Sequence, residues 1–324
     1  MESFWSAYGL FIAKTFTFLA LIVLAIAMTA RLLRRKDTPR EHLHVKKLNE
    51  KYQAMADVLH RAMLPKHDLK HYLQRRREAD KNIPRNAEPR PRVFVLEFKG
   101  DLRASAVHTL REEVTALLTV ATPKDEVFLR LESAGGLVMS YGLAASQLAR
   151  ITQAGIPLVV SVDQIAASGG YLMACVADRI LAAPFAIVGS IGVVAQMPNF
   201  HGLLKKHDID YELHTAGEFK RTLTLFGENT EEGRAKLKEE IEETHDLFKQ
   251  FLAQHRPRLD LATVATGEHW LGTRALDLKL VDELITSDDY LLKRSHEADL
   301  YAVRYPQRRS LGERLGLGRE KAGF

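Results

Sequence analysis

The sequence predicts an α/β fold with a mainly parallel sheet. From Arg92 onwards, short apolar runs typical of buried strands alternate with longer stretches typical of helices. Two of the strands run directly into glycine pairs, as at strand-to-helix turns. This alternation favours parallel pairing because each helix carries the chain back across the sheet. With 324 residues, 46% of them hydrophobic, the chain is long enough to bury a large core.

An apolar run near the start predicts a membrane-spanning helix over residues 1–33. Gly9 to Ala30 carries a single charge, Lys14, and has roughly the 20 residues that a helix needs to cross a bilayer. No basic residue precedes the run and a basic cluster, Arg31 to Lys36, follows it. A retained anchor is therefore favoured over a cleaved signal peptide. The positive-inside rule then places everything after Arg31 in the cytoplasm.

A basic juxtamembrane region is expected over residues 34–91. A helix is predicted from Pro39 to Leu64, with an apolar stripe that fits an interfacial membrane helix, a subunit contact or packing on its own domain. The stripe consists of Leu43, Leu48, Tyr52, Met55, Leu59 and Met63. Lys66 to Pro91 is dense in charge and proline, which predicts a linker. These basic clusters suit an anionic membrane surface better than a nucleic acid, so no nucleic-acid partner is expected.

The globular domain is predicted over residues 92–290. Its strands are expected at VFVLEF after Arg92, at Val127–Ser133, at Pro157–Asp163, at RILAAP, at IVGSIGVV and at Tyr211–Thr215. Helices are expected at Ala104–Val120, at Val138–Gln153, after Ser168 and at Thr230–His255. Thr230 is the predicted N-cap of the last helix, with acidic residues in its first turns. Residues 291–324 are predicted to form a basic, peripheral tail.

A serine at a strand-to-helix turn is the first candidate catalytic residue. The apolar run that starts at Val159 ends in two alanines and Ser168, and Gly169, Gly170 and a helix follow. Unpaired N–H groups converge at a helix N-terminus, so the N–H of Gly169 can point at the oxygen of an attacked carbonyl. Gly170 lets a substrate backbone approach. Taken alone, the segment favours a serine that only caps the helix.

A second glycine pair predicts further backbone donors. Gly135 and Gly136 follow the strand that ends near Ser133, and a helix begins directly after them. Open α/β sheets bind ligands at this edge, beyond the carboxyl ends of their strands. One of these N–H groups, together with that of Gly169, would form a two-donor oxyanion hole. The alternative is an ordinary glycine-rich turn.

Lys220, in TAGEFKR, is the candidate base. An exposed lysine has a pKa of about 10.4 and stays charged at pH 7. Burial disfavours the ammonium, and a neutral amine can accept a proton from Ser168 and pass it to a leaving amine. Ser190, in VGSIGVV, is placed to hold that amine by a hydrogen bond.

Histidine, metal and cofactor chemistry are less favoured. A Ser-His-Asp set would draw on His201, His214 or His269, but none lies in a segment typical of a catalytic loop, and the Gly-x-Ser-x-Gly elbow is absent around Ser168. No cluster has metal-ligand spacing and there is no Walker-type loop, so neither a metal nor a cofactor is expected. The single cysteine, Cys175, excludes an intrachain disulfide and fits a buried thiol.

Five motifs stand in a fixed order between about Arg92 and Ile285. They are LESAGGLV, AASGGYLMACVAD, APFAIVGSIGVVAQMPNF, ELHTAGEFKRTLTLFGENTEEGR, and ATGEHWLG with LVDEL. In this order they resemble the signal peptide peptidase A and protease IV family, and within it the SohB-type membrane-anchored proteases. The family's usual Ser-Pro-Gly-Gly turn reads Ser133-Ala134-Gly135-Gly136 here, and loss of the proline loosens the turn that aims an oxyanion donor.

The resemblance implies a Ser/Lys dyad on the ClpP/crotonase fold, a spiral of ββα units. Carried over by motif, the site consists of the nucleophile Ser168, the base Lys220, its orienting serine Ser190, and the oxyanion glycines Gly135, Gly136 and Gly169. The resemblance also implies ring-like homo-oligomers in which the lysine of one subunit can serve the serine of its neighbour. Related peptidases often place the catalytic domain outside the cytoplasm, so the periplasmic side of a bacterial inner membrane is the alternative to the cytoplasmic side.

The leading prediction is a membrane-anchored serine endopeptidase that acts through an acyl-enzyme. Its expected partners are extended peptides such as signal-peptide remnants or membrane-protein segments, the bilayer, and further copies of the chain. A crotonase-type acyl-CoA enzyme is one alternative, because that fold also places two N–H donors on a thioester oxygen. A non-catalytic membrane scaffold that assembles through the predicted helix at Pro39–Leu64 is the other.

Overall fold

The structure is a computed structural model that describes residues 2–36, 43–81 and 90–306. The chain divides into two units, Met1–His42 with Pro306–Phe324, and Leu43–Tyr305. In the first unit, helix α1 (Glu2–Lys36) contains one segment long and apolar enough to cross a membrane, Tyr8–Met28, with a mean hydropathy of 2.4. None of that segment is buried by other residues. A helix of this length and composition is consistent with the predicted membrane anchor.

The second unit contains all the other elements. Its first half consists of β1 (His44–Lys47), α2 (Leu48–Met63), α3 (Lys66–Lys81), β2 (Arg92–Lys99), α4 (Val107–Leu118), β3 (Glu126–Glu132), α5 (Val138–Gln153), β4 (Leu158–Val162), β5 (Ile165–Ala167) and α6 (Gly169–Ala174). Its second half consists of β6 (Arg179–Ala182), β7 (Ile187–Gly189), α7 (His201–Lys206), α8 (Glu231–His255), α9 (Leu261–Val264), β8 (His269–Leu271), α10 (Gly272–Asp277), β9 (Glu283–Leu284), α11 (Ser287–Glu297) and β10 (Asp299–Arg304).

Two sheets organise this unit. The larger has the strand order β1-β10-β2-β3-β4-β6-β9, and every neighbouring pair in it except β1 with β10 is parallel. The smaller has the order β5-β7-β8, with β5 and β7 parallel. A bridge between Ser133 and Ala166 joins the end of β3 to β5, and so links the two sheets. The predicted α/β fold with a mainly parallel sheet is therefore confirmed.

Both faces of the larger sheet are buried. Side chains alternate along a strand, so Leu96 of β2 and Leu129 of β3 face the main core with helices α4, α5 and α6. Phe128 of β3 faces the other way, and its ring stacks on that of Tyr290 in α11 at a centroid distance of 5.1 Å. Burial on both faces is typical of parallel sheets and explains the continuous apolar runs of β2 and β4.

The segment before β2 differs from its prediction. The helix expected from Pro39 begins at Leu48, because residues 44–47 pair with β10 as strand β1. In its apolar stripe, Leu48 and Tyr52 pack against the core, while Met55, Leu59 and Met63 are exposed. Most of the predicted linker is helix α3, whose Tyr72 and Arg76 bind Asp57 of α2. Residues 37–42 and 82–89 lie outside the described part of the chain.

Two further expectations were wrong. The tail predicted after residue 290 contains the end of α11 and then β10, which lies between β1 and β2 with Leu300 and Val303 buried. The unit Leu43–Tyr305 is thus wider than the predicted domain at residues 92–290. Tyr211–Thr215 is not a strand, because this segment is exposed and pairs with no described strand. Residues 307–324 lie outside the described chain.

Glu113 of α4 is a buried carboxyl that binds the backbone directly after β10. It is 5% exposed, and the N–H of Tyr305 donates to its Oε1 at 2.8 Å. Burial raises its pKa from 4.5 to about 6, and the hydrogen bond from Tyr305 offsets only part of this rise. Because the folded protein binds this proton more tightly than the unfolded chain, stability falls as the pH rises from about 4.5 to about 6.

We expect Glu113→Gln to increase the free energy of unfolding at pH 7 by about 2 kcal/mol. Glutamine keeps an acceptor for Tyr305 and carries no charge to bury. The increase should be absent at pH 4, where the glutamate is protonated in both states, and urea denaturation at the two pH values measures the difference. Glu112→Gln, at the exposed neighbouring position, is the control. An equal gain from both variants would contradict the prediction.

Candidate active site

Ser168 stands at a strained turn between β5 and α6. Its φ of +51° and ψ of −120° are values that L residues rarely adopt. The turn is held on both sides, since the Ser168 N–H donates to the Gly189 carbonyl at 2.8 Å and its own carbonyl accepts from Leu172 at 2.9 Å. Such conformations cost energy, cluster at active sites and persist only where the surrounding structure fixes them. Hydrogen bonds from neighbouring elements therefore hold Ser168 in this strained conformation.

Ser190 occupies the matching position on the adjacent strand. Strands β5 and β7 are parallel, and Ala167 at the end of β5 lies opposite Gly189 at the end of β7. Ser168 and Ser190 each come directly after these paired residues. Neighbouring strands lie about 5 Å apart. Ser190 also has a φ of +51°, is half-buried, and donates its N–H to the Glu268 carbonyl at 2.6 Å. The structure thus brings the predicted nucleophile and its predicted orienting partner side by side.

The predicted oxyanion glycines lie against this turn. Gly135 has a φ of +90°, and a Cβ there would stand 2.8 Å from the Cβ of Ser168 and from the amide nitrogen of Gly169. Only glycine fits so close an approach. The N–H of Gly135 donates to Ser133 Oγ at 3.1 Å, so it is already used. Among the described residues, the N–H of Gly136 has no acceptor.

Gly136 and Gly169 are therefore better candidates for the oxyanion donors than Gly135. Gly169 begins α6, and the first N–H groups of a helix have no partner within it. Gly136 and Gly169 line the same pocket as Ser168, and Gly135 does not. The geometry favours Gly135 as the residue that shapes the turn and Gly136 as the residue that donates.

A pocket of about 360 Å³ opens beside Ser168. Its volume lies within the range of about 300 to 1,000 Å³ that is usual for ligand sites. Helices α5 and α8 and the segment after β7 form mostly apolar walls. The apolar lining residues are Val138, Tyr141, Ala145, Leu172, Val193, Val194, Leu247, Phe248 and Phe251. A large apolar side chain suits this space.

Lys220 lies outside the pocket lining. It is exposed in the single chain, and its amine makes no hydrogen bond or ion pair with the described residues. Its backbone N–H donates to the carbonyl of Gly217 at 3.2 Å. A single chain therefore brings together Ser168, Ser190 and the glycines, but it does not place Lys220 in the pocket.

The segment that carries Lys220, residues 193–229, forms an exposed arm between β7 and α8. Asn199 ties its two halves together by donating to the carbonyls of Thr224 and Gly227, each at 3.0 Å. Its exposed large apolar side chains are Val194, Met197, Phe200, Leu203, Ile209, Tyr211, Leu213, Phe219, Leu225 and Phe226. Apolar surface on this scale marks a contact site for another protein or a membrane.

The alternative catalytic groups do not converge on this pocket. His201, His214 and His269 are absent from its lining. Within the described residues, no cluster of histidine, cysteine and carboxylate side chains could hold a metal ion. Cys175 is buried, and burial raises the pKa of its thiol well above the usual range, so it is a structural residue as predicted.

Sequence reasoning missed two features of the site. The apolar wall from α8 is formed by Leu247, Phe248 and Phe251, whose spacing places them along one side of a helix. That spacing was visible in the sequence, but nothing there connected it with Ser168. The second feature is a pair of buried hydroxyls, Ser133 and Tyr141, directly behind the glycine turn.

Comparison with known proteins assigns the family. The family model for the N-terminal part of peptidase family S49 matches residues 3–148, and the model for peptidase family S49 matches residues 150–301. The probable protease SohB of Haemophilus influenzae is 46% identical over 331 residues, which cover 98% of this chain and 94% of that protein. The chain belongs to peptidase family S49. It is thus a serine-type peptidase, and the predicted resemblance is confirmed.

A second relative agrees with the S49 assignment. The probable protease SohB of Buchnera aphidicola subsp. Acyrthosiphon pisum is 48% identical over 308 residues, covering 95% of this chain and 92% of that protein. Among solved structures, the 1510-N membrane-bound stomatin-specific protease in complex with a substrate peptide is 14% identical, covers 70% of this chain and 97% of its own, and has a TM-score of 0.45. Family membership confirms the expected ClpP/crotonase-type fold and does not favour the acyl-CoA alternative.

Proposed function

We propose that this S49 peptidase is a membrane-anchored serine endopeptidase in which Ser168 attacks the peptide carbonyl. The observation that carries the proposal is the strained turn that presents Ser168 beside the N–H groups of Gly136 and Gly169 at an apolar pocket. Ser168 Oγ bonds to the carbonyl carbon, its proton passes through a base to the leaving amine, and the C–N bond breaks. Water then hydrolyses the acyl ester. The two N–H groups stabilise the oxyanion in both steps.

The general base in this proposal is Lys220 from a neighbouring subunit. Three observations support this choice: Lys220 is exposed in the single chain, it lies on an arm rich in exposed apolar side chains, and the Ser168 pocket has no base among its lining residues. Docking of the arm on another copy would remove the amine from water, and a desolvated lysine gives up its proton more readily. Ser190, next to Ser168, would then orient that amine.

A fluorophosphonate probe followed by peptide mapping tests the proposal. The probe reacts with an activated serine, so we expect one modified peptide that contains Ser168. The solubilised full chain should also cleave casein or an apolar peptide. Labelling elsewhere, or no labelling in a preparation that cleaves peptides, would contradict the role of Ser168. An intact oligomer with neither labelling nor cleavage would favour the scaffold alternative.

We place the membrane span of α1 in a bacterial inner membrane, with the second unit in the cytoplasm. The support is the cluster of four basic residues that follows the span, Arg31, Arg34, Arg35 and Lys36. A fluorescent protein fused after Phe324 folds in the cytoplasm, whereas alkaline phosphatase at the same site is active only in the periplasm. Phosphatase activity without fluorescence would place the unit on the periplasmic side.

The apolar pocket supports a preference for substrates with a large apolar residue next to the cleaved bond. Leu247 of α8 lies on its wall, and Leu247→Glu would put a charge where that residue is bound. We expect kcat/KM for a leucine- or phenylalanine-containing peptide to fall by about 10-fold or more. Leu292→Glu, on an exposed position of α11 outside the pocket lining, is the matched control. Equal losses from both variants would contradict this preference.

A further inference from the structure

A chain of hydrogen bonds leads from the glycine turn into the protein interior. The Gly135 N–H lies 3.1 Å from Ser133 Oγ, and Ser133 Oγ lies 2.5 Å from the hydroxyl of Tyr141. The Tyr141 hydroxyl in turn lies 2.8 Å from the backbone carbonyl of Asp101. Ser133 is 2% exposed and Tyr141 is fully buried. Hydrogen bonds between buried polar groups are costly to lose, since no water replaces them.

The protons along this chain can run in only one direction. The Asp101 carbonyl has no proton to give, so the single hydroxyl proton of Tyr141 is donated to it. The proton of Ser133 must then go to Tyr141, which leaves a lone pair of Ser133 Oγ to accept the N–H of Gly135. Successive hydrogen bonds in such a chain polarise one another, and each bond becomes stronger. Burial raises the pKa of Tyr141, although its bond to Ser133 offsets part of the rise, so the hydroxyl stays protonated at neutral pH.

Two members of this chain, Gly135 and Tyr141, contact the nucleophile turn. A Cβ on Gly135 would lie 2.8 Å from the Cβ of Ser168, so the Gly135 backbone is packed directly on the serine. A Cβ on Gly169 would lie 2.4 Å from Cγ of Tyr141, so the Tyr141 ring is packed directly on the helix start. Tyr141 therefore abuts one predicted oxyanion donor and, through Ser133, fixes the turn that carries the other.

The backbone of Ser133, in the middle of these hydrogen bonds, is held in place by strand β5. The Ser133 N–H donates to the Ile165 carbonyl at 2.8 Å, and the Ser133 carbonyl accepts from the Ala167 N–H at 3.0 Å. The backbone of Ser133 is thus fastened to β5, the strand that leads into Ser168. A displacement of the Ser133 backbone relative to the nucleophile would require these bonds to break.

We infer that Ser133 and Tyr141 are positioning residues that hold the Gly135 N–H inward and thereby keep the Gly136 N–H for the oxyanion. The two amides belong to consecutive peptide groups, so fixing the first restricts the orientation of the second. Neither side chain touches the reacting atoms in this assignment. The inference rests on the proposed role of Ser168 and adds to it the residues that set the oxyanion hole.

Tyr141→Phe and Ser133→Ala in the full-length protein test the inference. Each removes one hydroxyl and leaves the fold a side chain of nearly the same shape. We expect kcat to fall by about 10- to 100-fold in each, since a misplaced donor loses transition-state stabilisation. KM should change by less than about twofold, because the substrate pocket is intact. The double variant should be no slower than the slower single variant, because both changes break the same chain.

Tyr171→Phe is the matched control. Tyr171 is another fully buried tyrosine, and its hydroxyl donates to the Leu280 carbonyl at 2.9 Å, away from the pocket lining. We expect this variant to lose thermal stability as Tyr141→Phe does, yet to keep the wild-type kcat. The rate of fluorophosphonate labelling at Ser168 gives a second readout, because the phosphoryl oxygen uses the same donors; it should slow in Tyr141→Phe and not in Tyr171→Phe.

The outcomes distinguish failure of the positioning role from failure of the proposed function. Labelling of wild-type Ser168 combined with an unchanged kcat and labelling rate in folded Tyr141→Phe and Ser133→Ala would overturn the positioning role alone. A change confined to KM, or losses that multiply in the double variant, would also overturn it. An unlabelled Ser168 in the active wild type would overturn the proposed function and this inference with it.

Discussion

Replacement of Ser168 by alanine should lower peptide cleavage by at least about 10⁴-fold, because removal of the nucleophile leaves only the binding and oxyanion contributions. The same variant should lose fluorophosphonate labelling completely. Alanine keeps the Cβ that packs on Gly135, so the fold should be retained. The melting temperature should stay at or above that of the wild type, since the strained backbone at this position does not depend on the hydroxyl.

Ser295→Ala is the control for this prediction. The Ser295 hydroxyl is bonded to the Leu292 carbonyl in α11, outside the pocket lining. Its removal should leave both cleavage and labelling unchanged. Wild-type cleavage by purified Ser168→Ala would show that another residue is the nucleophile.

Lys220→Ala should reduce cleavage by about 100- to 10,000-fold, the range expected when a general base is lost. The reduction should appear in kcat, because the pocket that binds substrate contains no part of Lys220. Arg221→Ala changes the next basic residue on the same exposed arm and should keep most of the activity. Equal losses in the two variants would point to a role of the arm in assembly instead of a role of the Lys220 amine in proton transfer.

Mixing of two inactive variants distinguishes a lysine from the neighbouring subunit from one in the same chain. When Ser168→Ala and Lys220→Ala subunits are coexpressed, some sites combine an intact serine from one subunit with an intact lysine from the next. Random assembly of a ring with head-to-tail contacts would restore up to about a quarter of the wild-type sites. If the lysine served its own chain, no site would be complete and activity would stay at the level of the single variants.

The parts of the fold that sequence predicted best depend on local signals. Thr230 was predicted as the N-cap of the long helix, and its side chain accepts the N–H of Gly233 at 3.1 Å. Helix α5 has its predicted bounds, Val138–Gln153, because a glycine pair precedes it and a Gly155 turn with a φ of +72° follows. Caps and turns act within a few residues, so a single sequence contains the necessary information.

Strand β10 was not predicted, because the strands that pair with it are distant in sequence. Residues 299–304 are too few to stand out, and they become a strand through pairing with β1 on one side and β2 on the other. In the site, too, local motifs could be recognised in the sequence and contacts between distant segments could not. Ser168 and Ser190 were recognisable from their motifs, whereas the link between Ser133, Tyr141 and the Asp101 carbonyl exists only after three separate segments meet. In the single chain, Lys220 is exposed and lies outside the lining of the Ser168 pocket.

The location of β10 also constrains how this peptidase is made. One long side of β2 stays uncovered until residues 299–304 emerge from the ribosome, even though β2 itself is synthesised early in the unit. An uncovered parallel strand can recruit other chains, so the nascent protein is vulnerable to aggregation throughout elongation. Completion of the sheet therefore waits for the last strand of the unit in chain order, and a chain whose synthesis stalls before Asp299 lacks that strand.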